Sequence, residues 1–359
     1  MIEYINPSIL YSNINKNRLT KKAIVVTLFI LFTIFFVFII YSKDELITSN
    51  SSVFEYDIVI PVCLNDSKKL IQQKDILKKY INFSKMVVIG PENIKNLVNN
   101  KSVIFIEENE LIQKENLIDI FNRREINETK RISWYLQQFL KMSYSRICKN
   151  EYYLLWDSDT IPIRQIKMFD NERPIFDIKD EHHLPYFITL DRILPNLHFS
   201  KFSYISEHMI IKTEYMKNLL IEIENNSNIP GKIFWEKILM SIDKTQIIGS
   251  GFSEFETYGS YVDTKYNNIY KHRKWFSKRD IVKFFGSIDN LSLNDINWLS
   301  KDYYALTFET WIKFNPENLE FIKRPEIQNL CRPNRFFKYY KRIMKKYRKI
   351  IKQISMSLF

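Results

Sequence analysis

Residues 152–162 read YYLLWDSDTIP, a short apolar run that ends abruptly in two aspartates. Aromatic and apolar residues bounded by turn-forming residues are typical of a buried strand. Asp157 and Asp159 are two positions apart, so both side chains project to one side if the strand continues. Neighbouring carboxylates repel each other unless a cation separates them, and hard divalent cations prefer such ligands. The stretch therefore predicts either a Mn²⁺ or Mg²⁺ site or an acidic turn.

Short β-branched segments upstream of this stretch alternate with segments of helical periodicity. The predicted strands and helices alternate in the order Asp57–Cys63, Ser67–Asn82, Lys85–Gly90, Asn93–Asn99 and Ser102–Glu107. This rhythm predicts an α/β fold with a parallel, Rossmann-like first half, whose ligands bind at the carboxyl ends of the strands. Further strands are expected at 184–190 and 202–212.

The segment Thr129–Ile147 has the clearest amphipathic helical pattern of the chain. Besides its apolar face, a second stripe recurs at spacings of three and four and contains Arg131, Trp134, Gln138, Lys141 and Ser145. This stripe is either a partly buried face whose cations extend to solvent, or a face that binds donor phosphates. Because the helix leads directly into the strand before Asp157, the second interpretation makes Arg131, Gln138 and Lys141 candidate donor-binding residues.

Three of the six glycines lie within residues 249–259, in the sequence GSGFSEFETYG. This concentration predicts a backbone that turns tightly or approaches a ligand closely. Glu254 and Glu256 lie in the same segment, and either is a candidate general base toward an acceptor hydroxyl. The alternative is a surface loop with two solvated acids. His208 and His272 are candidates for a third metal ligand.

Composition separates a nearly neutral body from a basic tail. Of the net charge of +12 over 359 residues, ten positive charges lie in residues 332–359, which contain no acid. A nucleic-acid-binding core is therefore not indicated. The tail has the pattern of a basic amphipathic helix, suited either to an anionic membrane surface or to packing on the domain. Cys63, Cys148 and Cys331 have no metal-ligand spacing.

Residues 23–41, AIVVTLFILFTIFFVFIIY, contain no charged residue and are long enough for one helix to cross a bilayer. Basic residues precede them and two acids follow closely, which predicts a single-pass protein with a cytosolic N-terminus. The predicted organisation has five parts. They are a cytosolic tail (1–22), a transmembrane helix (23–41), a stem (42–55), a catalytic domain (56–330) and a basic tail (331–359).

Several segments together are similar to a poorly characterised glycosyltransferase-like family of unknown function. They are DIVIPVCLND (57–66), RISWYLQQFLK (131–141), YLLWDSDTIP (153–162), SEHMIIK (206–212) and FSEFETYGSYV (252–262). The chain thus resembles a type A, D-x-D glycosyltransferase. The resemblance implies a nucleotide-sugar donor, a glycan or glycoconjugate acceptor, a metal bound by Asp159, and donor or metal contact by Asp157. Asp66, which ends the first segment, is included among the predicted donor-binding residues, and His272 among the metal ligands.

The sequence therefore predicts a membrane-anchored, metal-dependent glycosyltransferase, in the Golgi or ER lumen if the source is eukaryotic. Two alternatives remain open at this point. One is a metal-dependent phosphatase or nucleotidyl transferase that uses the same pair of aspartates. The other is a membrane-anchored adaptor without catalytic activity.

Overall fold

The computed structural model describes residues 54–98, 103–195, 197 and 200–357. The strands are β1 (Tyr56–Pro61), β2 (Met86–Gly90), β3 (Val103–Glu107), β4 (Tyr152–Trp156), β5 (Thr160–Pro162), β6 (Phe169–Asp170), β7 (Arg173–Ile178), β8 (His208–Lys212), β9 (Lys271–Lys274), β10 (Ser277–Lys278) and β11 (Ala305–Thr307). The α-helices are α1 (Leu64–Tyr80), α2 (Lys95–Val98), α3 (Glu108–Leu111), α4 (Lys114–Arg123), α5 (Ile132–Ser143), α6 (Leu184–Ile193), α7 (Thr213–Asn225), α8 (Phe234–Ser241), α9 (Lys244–Ile247), α10 (Glu254–Lys265), α11 (Val282–Phe285), α12 (Leu293–Leu299), α13 (Pro316–Ile322), α14 (Pro325–Leu330) and α15 (Pro333–Ser357).

The central sheet has the strand order β3-β2-β1-β4-β8. Strands β1, β2, β3 and β4 pair in parallel, and β8 adds to β4 in the antiparallel direction. The predicted α/β fold and its parallel first half are therefore confirmed, with a mixed sheet overall. The chain first moves outward from β1 to β3 and then crosses to the other side of β1 as β4. This reversal creates a topological switch point between β1 and β4, where open α/β sheets bind ligands.

Two smaller sheets follow the central sheet. Strand β5, which begins directly after Asp159, pairs with β11 in the three-stranded sheet β10-β11-β5. The third sheet has the order β6-β7-β9. Pairing of β5 with β11 brings a segment from the last third of the chain to the aspartates.

Three sequence predictions of local structure are wrong. Residues 184–190 form a helix, because Pro185 occupies its first turn and buried residues recur at helical spacing as Phe187, Leu190 and Ile193. The expected strand at 202–212 is limited to β8, because Glu207 has a positive φ of 61° and the chain bends there. The glycine-rich segment 249–259 was expected to turn tightly or to form a surface loop, but from Glu254 onward it is part of helix α10. The Ser253 side chain caps this helix by accepting a hydrogen bond from the backbone N–H of Glu256.

The buried apolar side chains of the described residues form two clusters. The larger surrounds the central sheet, and the smaller joins Ile161 and Ile163 to aromatic side chains of the last third, including Trp298 and Phe336. The predicted transmembrane segment 23–41 lies outside the described residues. None of the helices in the described part of the chain is both long and apolar enough to cross a membrane.

Candidate active site

A cavity of about 280 Å³ opens at the carboxyl ends of the central strands. Its walls come from the ends of three neighbouring strands and from helices: Val62 follows β1, Ile89 is near the end of β2, Ser158 follows β4, and residues of α1, α3, α4 and α5 cover the sides. The cavity therefore occupies the switch point that the strand order creates. Its polar lining includes Asp66, Glu108, Lys114, Ser133, Gln137 and Ser158. Of the predicted donor-binding residues, Asp66 lies in this lining.

The turn that carries the two aspartates is held by backbone hydrogen bonds to distant segments. The N–H of Asp157 donates to the carbonyl of Glu207 at 3.0 Å, and the N–H of Phe308 donates to the carbonyl of Asp159 at 2.8 Å. The indole N–H of Trp156 donates to the Thr160 carbonyl at 2.8 Å. These bonds fix the backbone on both sides of the pair, so the aspartates have a defined position without a ligand.

A buried lysine connects Asp157 with a glutamate on another helix. The Nζ atom of Lys141 lies 2.5 Å from Oδ1 of Asp157 and 2.6 Å from Oε1 of Glu254. Burial alone would lower the pKa of Lys141, but the two carboxylates outweigh burial and raise it. The side chain of Asp157 remains 31% exposed, whereas those of Lys141 and Glu254 are 3% and 5% exposed. Asp157 is therefore the accessible member of this group.

Asp159 lies in a strongly negative environment. Burial and the charges of Asp157, Glu309, Asp66 and Glu207 raise the pKa of Asp159 to about 7. Within the described residues, no group of three or more His, Cys, Asp or Glu side chains is arranged to hold a metal ion. Mg²⁺ sites commonly use one or two carboxylates and complete their ligands with substrate phosphates and water. The two aspartates and the negative environment of Asp159 fit that kind of site.

The predicted polar stripe of α5 faces helix α10 rather than the cavity. Gln138 accepts a hydrogen bond from the backbone N–H of Glu254 at 3.2 Å, and Lys141 contacts the same glutamate. Arg131 directly precedes α5, and its guanidinium lies over the Trp134 ring at 5.1 Å. A different side of α5, with Ser133 and Gln137, lines the cavity. Ser133 and Gln137 were not predicted as site residues because they lie beside Leu136 and Leu140, on the side of the helix that the sequence pattern marks as apolar.

The two predicted catalytic glutamates have different surroundings. Glu254 belongs to the group around Lys141, and its burial raises its pKa although the Lys141 charge opposes this. Glu256 is 1% exposed and accepts hydrogen bonds from the Ser203 hydroxyl at 2.9 Å and the Tyr204 N–H at 3.2 Å. The structure thus brings Glu254 to the aspartates and gives Glu256 contacts inside the core.

Both histidines considered as metal ligands have carboxylate partners of their own. Nε2 of His208 lies 2.9 Å from Asp177, whose carboxylate is also bound by Arg273 at 2.7 Å. Nε2 of His272 lies 2.7 Å from Asp263. The structure therefore places the imidazoles of His208 and His272 against Asp177 and Asp263, and a metal-binding role for either stays a prediction.

A second charged network borders the aspartates and was not predicted from the sequence. Glu207 pairs with Lys179 at 2.5 Å, and Arg279 lies between Glu207 and Glu309 at 3.5 Å and 3.1 Å. The charges of these carboxylates and of Asp157 raise the pKa of Arg279, although burial lowers it. Arg279 is thus a cation close to the acidic turn. Arg279 is 122 positions away from Asp157 in the sequence, so no local pattern indicates that the two residues lie close together.

Comparison with solved structures finds glycosyltransferases, at low similarity. The galactosyltransferase LgtC, solved with donor and acceptor sugar analogues, gives a TM-score of 0.35 at 10% identity over 70% of this chain and 86% of that chain. GlyE from Streptococcus pneumoniae gives 0.33 at 9% identity, over 77% and 62%. The mannosyltransferase Ktr4p from S. cerevisiae gives 0.32 at 12% identity, over 54% and 68%. Values this low establish neither an activity nor a substrate for this chain.

Sequence comparison assigns a family. No curated protein matches the chain. Residues 55–289, well over half of the sequence, match the model of a family described as a family of unknown function, DUF6492. This range includes every segment on which the family resemblance was based, and the predicted membership of a family of unknown function is confirmed. The chain belongs to the DUF6492 family.

Proposed function

We propose that this protein is a metal-dependent glycosyltransferase that moves a sugar from a nucleotide-sugar donor to a hydroxyl of a glycan or glycoconjugate. The observation that carries the proposal is the shared position of the cavity and the Asp157-Ser158-Asp159 turn at the switch point. A crevice there suits a nucleotide. An accessible pair of carboxylates beside it suits the cation that accompanies a diphosphate.

The donor nucleotide is assigned to the cavity. Val62, Leu136 and Leu140 provide apolar walls, and Asp66, Ser133 and Gln137 provide hydrogen-bonding groups. This combination of apolar surface and a few polar groups is typical of small-ligand sites. With the nucleoside between β1, β2 and α5, its diphosphate extends past Ser158 toward the aspartates.

Asp157 and Asp159 are the residues that would hold Mn²⁺ or Mg²⁺. The ion would neutralise charge on the departing nucleoside diphosphate. Lys141 holds Asp157 in place, and Glu254 in turn holds Lys141. In this proposal Lys141 and Glu254 are therefore positioning residues rather than donor ligands. The membrane anchor at 23–41 and, if the source is eukaryotic, the location in the Golgi or ER lumen remain parts of the proposal that come from the sequence.

The test uses the full chain with Mn²⁺ and a panel of UDP- and GDP-sugars, and measures release of the nucleoside diphosphate. Asp159→Asn keeps the size of the side chain but removes its charge, and we expect turnover to fall by about 100-fold or more. Asp119→Asn, which removes an exposed carboxylate on α4, is the matched control and should retain full turnover. Full activity and unchanged metal dependence in Asp159→Asn would contradict the proposal.

The same assays separate the alternatives. A phosphatase or nucleotidyl transferase would hydrolyse simple phosphate esters, such as p-nitrophenyl phosphate, with no preference for nucleotide sugars. An adaptor would give no heat in calorimetric titration with UDP or GDP and Mn²⁺. A glycosyltransferase should bind at least one of these nucleotides and hydrolyse its sugar derivative slowly when water replaces the acceptor.

A further inference from the structure

The C-terminal helix α15 begins as part of the core and then exposes large apolar side chains. Phe336 and Phe337 are each 6% exposed and pack among Phe284 and Trp298. In the next turns, Tyr339 is 64% exposed and Ile343 is 47% exposed. Large apolar side chains that share an exposed helix face indicate a surface that another molecule covers.

These side chains border a groove between α15 and the pair of helices α13 and α14. The groove encloses about 430 Å³ and is lined by Phe321, Ile327, Cys331, Arg335, Phe336, Tyr339, Tyr340 and Ile343. Phe321 is 40% exposed on the opposite wall. The lining is apolar apart from Arg335 and the tyrosine hydroxyls, and the hydroxyl of Tyr340 already donates to Asn318 at 2.9 Å. The groove thus suits hydrocarbon rather than a polar ligand.

Cations follow the groove on its solvent side. Arg335, Lys338, Arg342 and Lys345 are exposed and recur at spacings of three and four, which places them along one helix face next to Tyr339 and Ile343. Residues 332–359 contain no acid, so nothing within this segment neutralises the row. Helices α13 and α14 do carry Glu317, Glu320 and Glu326, but these side chains do not line the groove.

We propose that this surface docks on an anionic phospholipid bilayer. The row of cations would contact the lipid headgroups, while Tyr339 and Ile343 enter the boundary between headgroups and acyl chains. A helix with apolar side chains beside a purely cationic face binds such a surface, and each Lys or Arg near it strengthens binding by about fivefold. The cations complement an anionic lipid surface, and the exposed apolar side chains beside them can enter its acyl boundary. This docking is independent of the proposed transfer reaction.

The experiment is hydrogen exchange of the full chain mixed with vesicles of phosphatidylcholine alone or with added phosphatidylserine. A membrane anchor at 23–41 would insert in both kinds of vesicle, so only the difference between them tests the groove. We expect backbone amides of residues 335–345 to exchange at least fivefold more slowly with the anionic vesicles. High salt should remove this protection, because it screens the headgroup charges.

Two variants test the two components of the surface. The double variant Lys338→Gln/Arg342→Gln should weaken docking by roughly 25-fold, given the contribution of each cation. The double variant Tyr339→Ser/Ile343→Ser should lose the slower amide exchange that anionic vesicles cause in residues 335–345. The matched controls are Lys130→Gln/Lys149→Gln and Leu293→Ser, which alter exposed cations and an exposed leucine elsewhere. Equal exchange in both kinds of vesicle would overturn the proposal. Loss of protection in the controls to the same extent as in the groove variants would overturn it as well.

Discussion

At the scale of single residues, Lys141 has the largest influence on the candidate site. It is buried and contacts two carboxylates that come from different elements, Asp157 after β4 and Glu254 at the start of α10. The charges of a buried lysine and its two carboxylate partners offset one another only while all three groups are present. Removal of any one of them leaves a buried charge without its partner. The ion pairs therefore couple the position of the accessible aspartate to the packing of α10.

Lys141→Met should leave the two carboxylates uncompensated and lower the free energy of unfolding by about 3–5 kcal/mol. Adding Glu254→Gln to this variant should recover part of the loss, because the charge of the more deeply buried carboxylate is then removed. Chemical denaturation of the single and double variants measures both effects. Lys149→Met changes an exposed lysine and is the control, and a loss below about 1 kcal/mol in Lys141→Met would show that the pairs contribute little.

Glu256 should make stability depend on pH. Burial raises its pKa from 4.5 to about 7, and one of its oxygens has no hydrogen-bond partner. The folded state therefore binds the proton of the Glu256 carboxyl more tightly than the unfolded chain does. The stability that the protonated Glu256 contributes is complete below about pH 4.5 and is lost as pH rises through 7.

Between about pH 5 and pH 8, the loss from Glu256 should reach up to about 3 kcal/mol. Glu256→Gln removes the titration, so its unfolding free energy should fall less over this range than that of the wild type. Denaturant unfolding at a series of pH values measures the difference. Parallel pH curves for the two proteins would rule out this role of Glu256.

At the scale of secondary-structure elements, the contact between α10 and the segment before β8 explains one of the clustered glycines. A Cβ atom on Gly259 would lie 2.2 Å from Cγ of Tyr204. The Tyr204 ring is completely buried and its hydroxyl donates to Asp263, so the ring has little room to move. The glycine is required for close helix packing rather than for a turn.

Gly259→Ala should therefore destabilise the protein by about 1–3 kcal/mol, although alanine is the better helix former. Gly249→Ala is the control, because a Cβ there would meet nothing closer than the Gln246 carbonyl at 3.5 Å. Its effect should remain within about 0.5 kcal/mol. Thermal unfolding of both variants makes the comparison, and equal stabilities would contradict the packing argument.

The turn after β11, whose start contacts the Asp159 backbone, carries an exposed tryptophan. Phe308 bonds the Asp159 backbone, Glu309 pairs with Arg279, and the Ile312 N–H donates to the Glu309 carbonyl at 3.2 Å to close the turn. Trp311 lies inside this turn and is 77% exposed. Aromatic rings with one exposed face are suited to packing against an acceptor sugar ring.

If the proposed function is correct, Trp311→Ala should raise the KM for a glycan acceptor by about tenfold, as expected for loss of an aromatic anchor. Donor hydrolysis without acceptor should remain unchanged, because Trp311 does not line the cavity assigned to the donor. Leu293→Ala, another exposed apolar residue, serves as the control. Steady-state kinetics with varied acceptor separates the effects, and an unchanged KM would exclude Trp311 from acceptor binding.

At the scale of the whole molecule, the predicted basic tail is partly a structural element of the domain. Its first turn contributes Phe336 and Phe337 to the smaller core cluster, and the Trp298 indole donates to the Cys331 carbonyl at 2.7 Å. The start of the tail therefore stabilises the sheet that carries β5 and β11. Only the later, exposed turns are available for the membrane surface proposed above.

A chain that ends at Cys331 should lose both phenylalanines and at least about 6 kcal/mol of stability, since each buried phenylalanine contributes about 3–5 kcal/mol. A chain that ends at Lys345 retains both side chains and should unfold at nearly the wild-type temperature. Calorimetric unfolding of the two truncated chains distinguishes these outcomes. Equal unfolding temperatures would mean that the packed turns of α15 contribute no stability.

The sequence by itself determined the strands of the parallel half, the helix Ile132–Ser143, the acidic turn at Asp157 and the family. These features depend on local apolar runs, helical periodicity and short motifs, which neighbouring residues specify. Local pattern failed at 184–190, where an apolar run is compatible with both strand and helix. It also failed at Glu254–Lys265, where clustered glycines concealed a helix that tertiary packing stabilises.

Only the tertiary structure decided which charged groups meet. Lys141 reaches Glu254 across 113 positions, and the pairing of β5 with β11 brings Glu309 and Arg279 to the aspartates. It also showed that the cavity is lined by Ser133 and Gln137, on a face of α5 that the periodicity had marked as apolar. Such contacts depend on strand order and on the packing of helices that are distant in sequence, and no local pattern encodes either.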